Sequence, residues 1–458
     1  MAGKISAFFG AQDMTHGNPA SNLIRFSVPL LIGNLAQQLY STVDSIVVGQ
    51  YVGDGALAAI GASGPILNLL LVLFMGVSVG ASIMVSQYFG AKDKKRLSDS
   101  VGTAITATVV SSAFITAIGP LVTGWSMSLL QTPADIYDMA CDYLAILLLG
   151  IVGSAFYNIL SGILRGLGDS VMPLLFLIIA CGLNVVLDIW FVASFRMGVA
   201  GAAWATIISQ AVSGALCLIR LLLMRDILHV RLRSLWPSRE LLSQLVRLGL
   251  PSGLTQAIFS MAMIVVQSLT NSFGTTIIAV STVVMRVDGF AMMPNFTFGT
   301  AMTTFTGQNI GAKRLDRVEK GTKDGMKIGL VVSVILVAMI LLFGRYLVEM
   351  FTSTPDVIRL SVHMMQILAV GYVAMAVTKI LSGVMRGAGD TMTPMWISMI
   401  TTIVIRVPIA YGLAAWLQSP DALFISMLVS WVMGAVLTVL AYRMGRWKRK
   451  SVISREAV

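Results

Sequence analysis

Two aspartates, Asp44 and Asp188, stand within long apolar stretches of the sequence. Each has polar neighbours at helical spacing: Gln37 and Tyr40 precede Asp44, and Asn184 precedes Asp188. A charged side chain inside an apolar span costs roughly 2.5–3.5 kcal/mol on insertion scales, so it needs a specific role. Carboxylate and amide oxygens can bind a hard cation such as Na⁺, and a desolvated carboxyl can instead carry a proton. The alternative is a hydrogen bond that only joins two helices.

The elements that must position these residues are predicted to be membrane-spanning helices. Apolar side chains make up 56% of the 458 residues and charged side chains 12%, about half the roughly 25% of an ordinary soluble domain. Uncharged stretches such as 55–91 and 100–134 exceed the about 20 residues that cross a bilayer. The sequence therefore predicts an all-α membrane protein with twelve spans, near residues 24–50, 55–89, 100–130, 136–164, 172–194, 198–224, 243–272, 276–309, 324–350, 357–385, 392–417 and 421–444.

Basic residues are concentrated in alternate loops between these spans. The basic loops contain Lys92, Lys94, Lys95 and Arg96; Arg165; Arg225, Arg231, Arg233 and Arg239; Lys313, Arg314, Arg317, Lys320 and Lys323; and Arg386. The positive-inside rule places these loops, and hence both termini, in the cytoplasm. The formal net charge of +11 is thus explained by topology, and no nucleic-acid partner is expected.

The chain repeats itself at a displacement of 221 residues. Leu160–Pro173 aligns with Leu381–Pro394 at eight of fourteen identical positions, and Gln87–Lys92 matches Gln308–Lys313 at the same displacement. The predicted segments are a cytoplasmic segment 1–21, a first lobe 22–226, a linker 227–242, a second lobe 243–445 and a basic tail 446–458. Because each lobe holds an even number of spans, pseudo-symmetry along the membrane normal and a substrate path in a central cleft are expected.

Depth along the helices places the polar groups of the first lobe in one layer. Asp44 and Asp188 each lie about seven residues, or roughly 10 Å, inside the outer ends of their spans. Thr206, on the sixth span, lies roughly 13 Å from the same side. With Asn184 beside Asp188, the predicted cation site combines two carboxylates, an amide and a hydroxyl.

The repeat assigns this chemistry to the first lobe. At a displacement of 221–222 residues Asp44 falls on Val266, and Asp188 falls on Ile409 or Ala410, so the second lobe has no carboxylate in these places. Residues that only support the scaffold would be expected in both lobes. The asymmetry favours a functional role for the first-lobe acids.

The second lobe has charged residues of its own within its spans. Arg286 and Asp288 are two residues apart and do not share a helix face, so an ion pair or a substrate contact would join different helices. Lys379 is predicted to extend towards the inner surface and Arg406 to brace the fold. The two Arg-Gly-x-Gly-Asp segments are predicted to be tight cytoplasmic turns braced by their arginine and aspartate, because no strand precedes them and no phosphate-binding signature follows.

Six motifs together resemble those of the multidrug and toxic compound extrusion (MATE) family. They are Val-Asp44-Ser-Ile-Val-Val-Gly, Gln87-x-x-Gly-Ala, Leu-Arg165-Gly-x-Gly-Asp-x-x-x-Pro173, Asn184-Val-Val-Leu-Asp188, Gly198-Val-Ala-Gly-Ala-Ala-Trp-Ala-Thr206 and Gly-Gln308-Asn-Ile-Gly-Ala. The resemblance covers the chain from about Leu23 to Arg443 and is closer to the DinF-like branch, because the seventh and tenth spans lack the acids typical of the NorM-like branch.

The resemblance implies two six-helix lobes in a V shape and multidrug efflux by alternating access from the bacterial inner membrane. Cationic or amphipathic small molecules would be exported in exchange for H⁺ or Na⁺, with no other cofactor and with the chain acting as a monomer in the lipid bilayer. The cation-coupling residues carried over are Asp44, Asn184, Asp188 and Thr206, which form the candidate Na⁺ site. Pro29 matches a proline associated with bending of the first helix.

The remaining candidates line the predicted substrate path or control its opening. The cavity candidates are Gln37, Tyr40, Asn68, Asn158, Gln256, Gln267, Met292 and Asp288, and the structural or gating candidates are Pro29, Arg286, Lys379 and Arg406. A flippase for lipid-linked precursors is the alternative within transport, but it usually has extra helices or a more cationic cavity. An enzyme is not expected, because no intramembrane His, Glu or Ser/Lys constellation is found.

Overall fold

The computed structural model describes residues 10–228 and 232–453, and the side chains of residues 39–46, 54, 57, 232 and 233 are outside the described part. Within it the regular structure is helical, with no strand. The α-helices, numbered α1 to α14 in order, are Pro19–Tyr51, Asp54–Gly90, Lys94–Leu129, Ala134–Leu149, Ile151–Gly166, Val171–Asp188, Gly198–Leu223, Arg239–Ser272, Thr275–Gly311, Leu315–Glu349, Pro355–Gly387, Met392–Met399, Arg406–Leu417 and Asp421–Arg443. Short 3₁₀ helices cover Leu232–Leu235 and Arg446–Arg449.

The helices match the predicted spans. Ten helices of the described residues are long and apolar enough to cross a membrane, and the bent pair α4 and α5 makes eleven if it is one span. Helix α1 corresponds to the first predicted span. Two spans contain a π-helical segment: Ile189–Ser194 continues α6, and Ile400–Ile405 joins α12 to α13. The α4–α5 bend of 50° occurs at Gly150, where an added Cβ would lie 2.3 Å from Ile207.

The sequence repeat is also a repeat of backbone conformation. Lys92 and Lys313 end equivalent helices with the same left-handed φ of 57°. Gly168 and Gly389 have φ of 88° and 95° in the two Arg-Gly-x-Gly-Asp turns. Since L side chains rarely adopt such angles, glycine is required at both turns. The two halves of the chain therefore use the same turns to end the same spans.

The described chain packs as two compact units. The first unit contains residues 10–13 and 28–253, and the second contains 14–27 and 254–453. Two of the three divisions fall inside a helix close to a proline, Pro29 in α1 and Pro251 in α8. A proline removes one helical hydrogen bond, so both helices change unit near a weakened turn. The predicted lobe bounds, defined by the repeat, stay a prediction.

Small residues bring the helices of each unit close together. In the second unit a Cβ on Gly383 of α11 would lie 2.3 Å from the carbonyl oxygen of Gly299 in α9. In the first unit a Cβ on Gly162 would lie 2.2 Å from the Ser78 hydroxyl, at the repeat-equivalent place. Such contacts replace the hydrophobic effect as the main source of helix association in lipid. Helix α11 is thereby fixed against α9, and it positions the charged residues of the second unit.

Candidate functional site

Helices α6 and α7 bring three of the predicted cation-site residues together. Asn184 and Asp188 are fully buried, one turn apart in α6. With the Asn184 amide oriented to satisfy both neighbours, its Nδ2 donates to Asp188 Oδ2 at 2.9 Å, and its Oδ1 accepts from the backbone N–H of Thr206 at 3.2 Å. The amide therefore links the carboxylate of one helix to the backbone of the next, and these three residues occupy one layer.

The local sequence explains how the helices reach this arrangement. Asp188 is the last residue of α6, and the π segment Ile189–Ser194 follows directly. A π turn replaces the usual hydrogen bonds by longer i→i+5 ones and is frequent at functional sites. At the start of α7 a Cβ on Gly201 would lie 3.1 Å from Phe191 of the π segment. The absence of a side chain at Gly201 thus lets α7 approach the widened turn.

A buried apolar cluster is built from the same elements and from α1. Val48, Val192, Val199 and Ala202 belong to one buried hydrophobic cluster contributed by α1, the π segment and α7. Burial of a carboxylate is costly, because the carboxylate loses its hydration. Binding of a proton or a small cation at Asp188 would remove that cost.

The fourth predicted cation-site residue, Asp44, lies in α1 together with Tyr40, and both side chains are outside the described part of the chain. Gln37, which lies about two helical turns before Asp44 in α1, is half-buried and has a polar partner. The contact from Thr206 to Asn184 comes from its backbone, and the Thr206 side chain is half-buried. The proposed ligand role of its hydroxyl therefore stays a prediction.

Two other candidates of the first unit face partly solvent-accessible space. Asn68 is exposed on α2. Asn158 is half-buried in α5, and its amide donates to the Ser154 carbonyl at 2.8 Å within the same helix. Pro29 is buried in α1. None of these contacts joins the Asn184 group in the described residues.

The uncharged candidates of the second unit are divided between surface and core. Gln256 is exposed on α8, and Gln267 donates to Asn271 Oδ1 at 2.9 Å on the same helix. Met292 is buried in a large apolar cluster, and its sulfur lies 3.9 Å from Asn295 Nδ2. Met292 therefore packs in the core of the second unit.

Arg286 and Asp288 lie in different environments, as expected for residues that do not share a helix face. Arg286 is exposed, with no carboxylate within 4.0 Å in the described residues, whereas Asp288 is buried in α9. The Asp288 Oδ1 accepts a short hydrogen bond from the Tyr372 hydroxyl of α11, and its Oδ2 has no hydrogen-bond partner in the described part. Tyr372 packs against Trp431 at 5.8 Å between ring centroids. No pattern in the sequence selects Tyr372 among the aromatic residues of the spans.

Three cations of the second unit line one cavity. Lys379, Arg386 and Arg406 share it with aromatic, apolar and hydroxyl side chains, namely Phe259, Met375, Thr378, Ser382, Ile397, Ser398, Thr401, Thr402, Ser430 and Trp431. The Lys379 ammonium lies 4.1 Å from the ring centroid of Phe296 and 5.1 Å from that of Phe259. Lys379 is thus held by aromatic rings at the cavity, and its extension towards the inner surface stays a prediction. No sequence pattern groups Arg386, which is predicted to lie in a loop, with Lys379 and Arg406.

The two Arg-Gly-x-Gly-Asp turns are braced by their aspartates but not by their arginines. Asp169 accepts from the backbone N–H of Met172 at 3.0 Å and pairs with Arg220 of α7 at 3.2 Å. Asp390 accepts from the backbone N–H of Thr393 at 3.2 Å. Burial raises the pKa of the Asp169 carboxyl, and the contacts with Met172 and Arg220 offset only part of this effect. The first turn is therefore also tied to a neighbouring helix, through Arg220 of α7.

A family model described as MatE matches the chain twice, over residues 29–190 and 251–412. The two matches begin at the repeat-equivalent prolines Pro29 and Pro251. Among curated relatives, a probable multidrug resistance protein, YpnP of Bacillus subtilis (strain 168), is 32% identical over 97% of this chain and 100% of the relative. A probable multidrug resistance protein NorM of Thermotoga maritima is 26% identical over 95% of each chain.

Solved structures agree with this similarity. A MOP superfamily transporter from Pyrococcus furiosus, described as having a binding pocket of reverse polarity that suggests a different function, matches with a TM-score of 0.89 at 27% identity. The match covers 96% of this chain and 98% of that one. An outward-facing multidrug resistance MATE family transporter matches with a TM-score of 0.89 at 27% identity, over 95% and 97% of the two chains.

Proposed function

The chain belongs to the MATE family and is a multi-pass membrane transporter of the multidrug efflux type, and from this premise we propose that it works as an antiporter coupled at the Asp188 group. Cationic or amphipathic small molecules leave the cell while H⁺ or Na⁺ enters. The observation that carries the proposal is the buried hydrogen-bonded group of Asn184, Asp188 and the Thr206 backbone.

The position of Asp44 supports its inclusion in the same site. Val48 of α1 and Val192 of the π segment belong to one buried cluster. Asp44 and Asp188 each precede these valines by four residues, one helical turn, and the first and fifth spans run in the same direction in the predicted topology. The two aspartates are therefore expected at a similar depth on neighbouring helices.

The chemistry of the group fits a small cation. Asn184 donates to one carboxylate oxygen, and the neutral amide fixes the geometry without neutralising the charge. Two carboxylates close together favour either one shared proton or one Na⁺ with oxygen ligands. Both outcomes remove a net negative charge from an apolar environment.

Cation occupancy can therefore select between two states of the transporter. An unneutralised carboxylate within the membrane costs a few kcal/mol, so the empty site favours the state in which water reaches it. Shifting a population from 1:99 to 99:1 needs about 5.5 kcal/mol of differential binding. One elementary charge that moves across a membrane potential of 100 mV adds about 2.3 kcal/mol. Two coupled acids can therefore supply the free energy that the population shift needs.

The remaining features of the proposal follow from the family and from the charge distribution. The substrates are organic cations or amphipathic drugs, the location is the bacterial inner membrane, and both termini are cytoplasmic by the basic loops. The first-lobe acids favour the DinF-like pattern. The lipid-linked precursor flippase is not favoured, because the named relatives are multidrug resistance proteins.

Reconstituted vesicles given a pH jump or a Na⁺ jump, with a fluorescent organic cation as cargo, test the proposal. The wild-type chain is expected to move cargo in response to one of the two gradients, whereas Asp188→Asn and Asp44→Asn give only background rates. Asp142→Asn, an exposed acid on α4, is the matched control and keeps the wild-type rate. Normal coupled efflux in both site variants would contradict the assignment.

A further inference from the structure

The cavity of the second unit is the strongest feature that cation exchange at Asp188 leaves unused. It is lined by Lys379, Arg386 and Arg406, all from α11 and α13. Each cation within a span costs roughly 2.5–3.5 kcal/mol on insertion scales, so three around one space need a compensating interaction.

The protein itself supplies little compensation. No carboxylate lies within 4.0 Å of any of the three cations in the described residues. Asp288 attracts Arg406 electrostatically, but its Oδ1 is bonded to the Tyr372 hydroxyl. The Nε atoms of Arg386 and Arg406 are buried and have no hydrogen-bond partner in the described part. Buried donors of this kind are normally satisfied, so these two guanidinium groups present unused donors beside the cavity.

Comparison with the equivalent residues of the first half shows which of these cations the two halves share. At the displacement of 221, Lys379 falls on Asn158, which is neutral. The π segment Ile400–Ile405 precedes Arg406 and accommodates one additional residue, which moves the register to 222 and places Arg406 on Asn184. Only Arg386 has a cationic equivalent, Arg165. Two of the three cations are therefore specific to the second half of the chain.

We propose that the cavity of the second unit binds an oxyanion, the carboxylate or phosphate group of an amphipathic molecule. Guanidinium groups match such oxyanions through paired, charge-assisted hydrogen bonds. The hydroxyls of Ser398 and Thr402 add neutral donors around the same space. The aromatic rings of Phe259 and Trp431 fit an apolar or aromatic body attached to the anion.

This site is independent of cation exchange at Asp188. Its residues lie in the second unit, while Asn184, Asp188 and Thr206 lie in the first. Asp188→Asn is therefore expected to abolish coupled efflux and to leave oxyanion binding unchanged. The two proposals can fail separately.

Binding of 1-naphthoate to the purified full-length protein in phosphatidylcholine nanodiscs tests the inference. The probe is expected to bind the wild type, and Arg406→Gln or Lys379→Met is expected to raise its Kd about tenfold or more, the usual effect of losing one charge-assisted contact. The matched control is Arg286→Gln, which removes an exposed cation of the same unit outside the cavity and keeps the wild-type Kd. The isosteric cation 1-naphthylmethylammonium is expected to bind no better in the wild type than in Arg406→Gln.

Two further measurements keep the result decisive. Arg406→Lys retains the charge and should recover most of the affinity if Arg406→Gln folds poorly, as judged by size-exclusion chromatography. Inorganic phosphate and phosphatidylglycerol nanodiscs distinguish the source of the anion: competition by phosphatidylglycerol indicates a lipid headgroup, and an unchanged naphthoate Kd there indicates a soluble solute. Unaltered naphthoate affinity in both Arg406→Gln and Lys379→Met, or no wild-type binding at millimolar concentration, would overturn the proposal.

Discussion

The two halves of this chain share backbone conformations at equivalent turns and differ in the charge of the side chains within their spans. Both end equivalent spans with a left-handed lysine and with a glycine turn. The first half buries Asn184 and Asp188 together, whereas the second places Lys379 and Arg406 at one cavity. A duplicated scaffold accepts either set of side chains, so the charges that differ between the halves are those most closely tied to function.

The π segments show how the difference is built. In the first half the π segment follows Asp188, and in the second it precedes Arg406. Each segment changes which residue of the span faces its neighbours from that point on. Equivalent spans can therefore present unrelated side chains at the same depth, although their ends are held by the same turns.

The largest expected effect is on gradient-driven efflux, which we expect to depend on the cation site of the first half and not on the anion-binding cavity of the second. Asp188→Asn is expected to reduce gradient-driven efflux in vesicles to background, because the site no longer changes charge on cation binding. Arg406→Gln is expected to keep a cargo response to the coupling gradient when the cargo carries no anionic group. Equal loss of coupling in the two variants would remove the functional distinction between the halves.

Removal of the Asn184 amide should produce the next largest effect. Asn184→Leu removes the amide that donates to Asp188. We therefore expect the free energy of unfolding to fall by about 1–3 kcal/mol and the coupling cation to bind more weakly. Thermal unfolding followed by size-exclusion chromatography, with and without Na⁺ at two pH values, measures both. The same change at Asn158, whose amide bonds only its own helix, is the matched control and should cost less. Equal losses would show that the Asn184 contact has no special role.

The second half has its own buried acid, and Tyr372→Phe tests how it is stabilised. The substitution removes the hydroxyl that donates to Asp288, and a loss of about 1–3 kcal/mol is expected since the carboxylate stays buried. Asp288→Asn should make a second change at Tyr372 less harmful, because the two residues form one interaction. Tyr346→Phe, on an exposed tyrosine, should leave the unfolding temperature unchanged. Strictly additive losses would contradict the pairing.

The smallest effect concerns the two glycine turns. Because burial raises the pKa of Asp169 in the folded chain, its stabilising contribution is complete at low pH and is lost as the pH rises through the folded pKa. The wild type should therefore lose stability relative to Asp169→Asn over that range, by about 1.4 kcal/mol for each unit of the pKa shift. Unfolding temperatures across acidic pH measure this difference. Asp390→Asn, at the equivalent turn, is the comparison, and the same slope in both variants would contradict the assignment to Asp169.

The sequence predicted those features that depend on neighbours along the chain. The spans follow from apolar length, the halves from the repeat, and the Asn184–Asp188 contact from a spacing of one helical turn. Helix depth also placed Thr206 in the same layer, because the fifth span ends and the sixth span begins on the same side of the membrane. The sequence did not predict the partners of the buried acids: Asp288 accepts from Tyr372, and Asp169 pairs with Arg220.

Pairings between helices were decided by the tertiary structure alone. Tyr372 reaches Asp288 across 84 residues and Arg220 reaches Asp169 across 51, and no local pattern specifies either partner. The cavity of Lys379, Arg386 and Arg406 likewise depends on how closely α11 packs and on the π segment before Arg406. The sequence by itself determined which charges enter the membrane, because hydropathy and helical periodicity are local. Their partners depend on helix rotation and close approach, which only packing fixes.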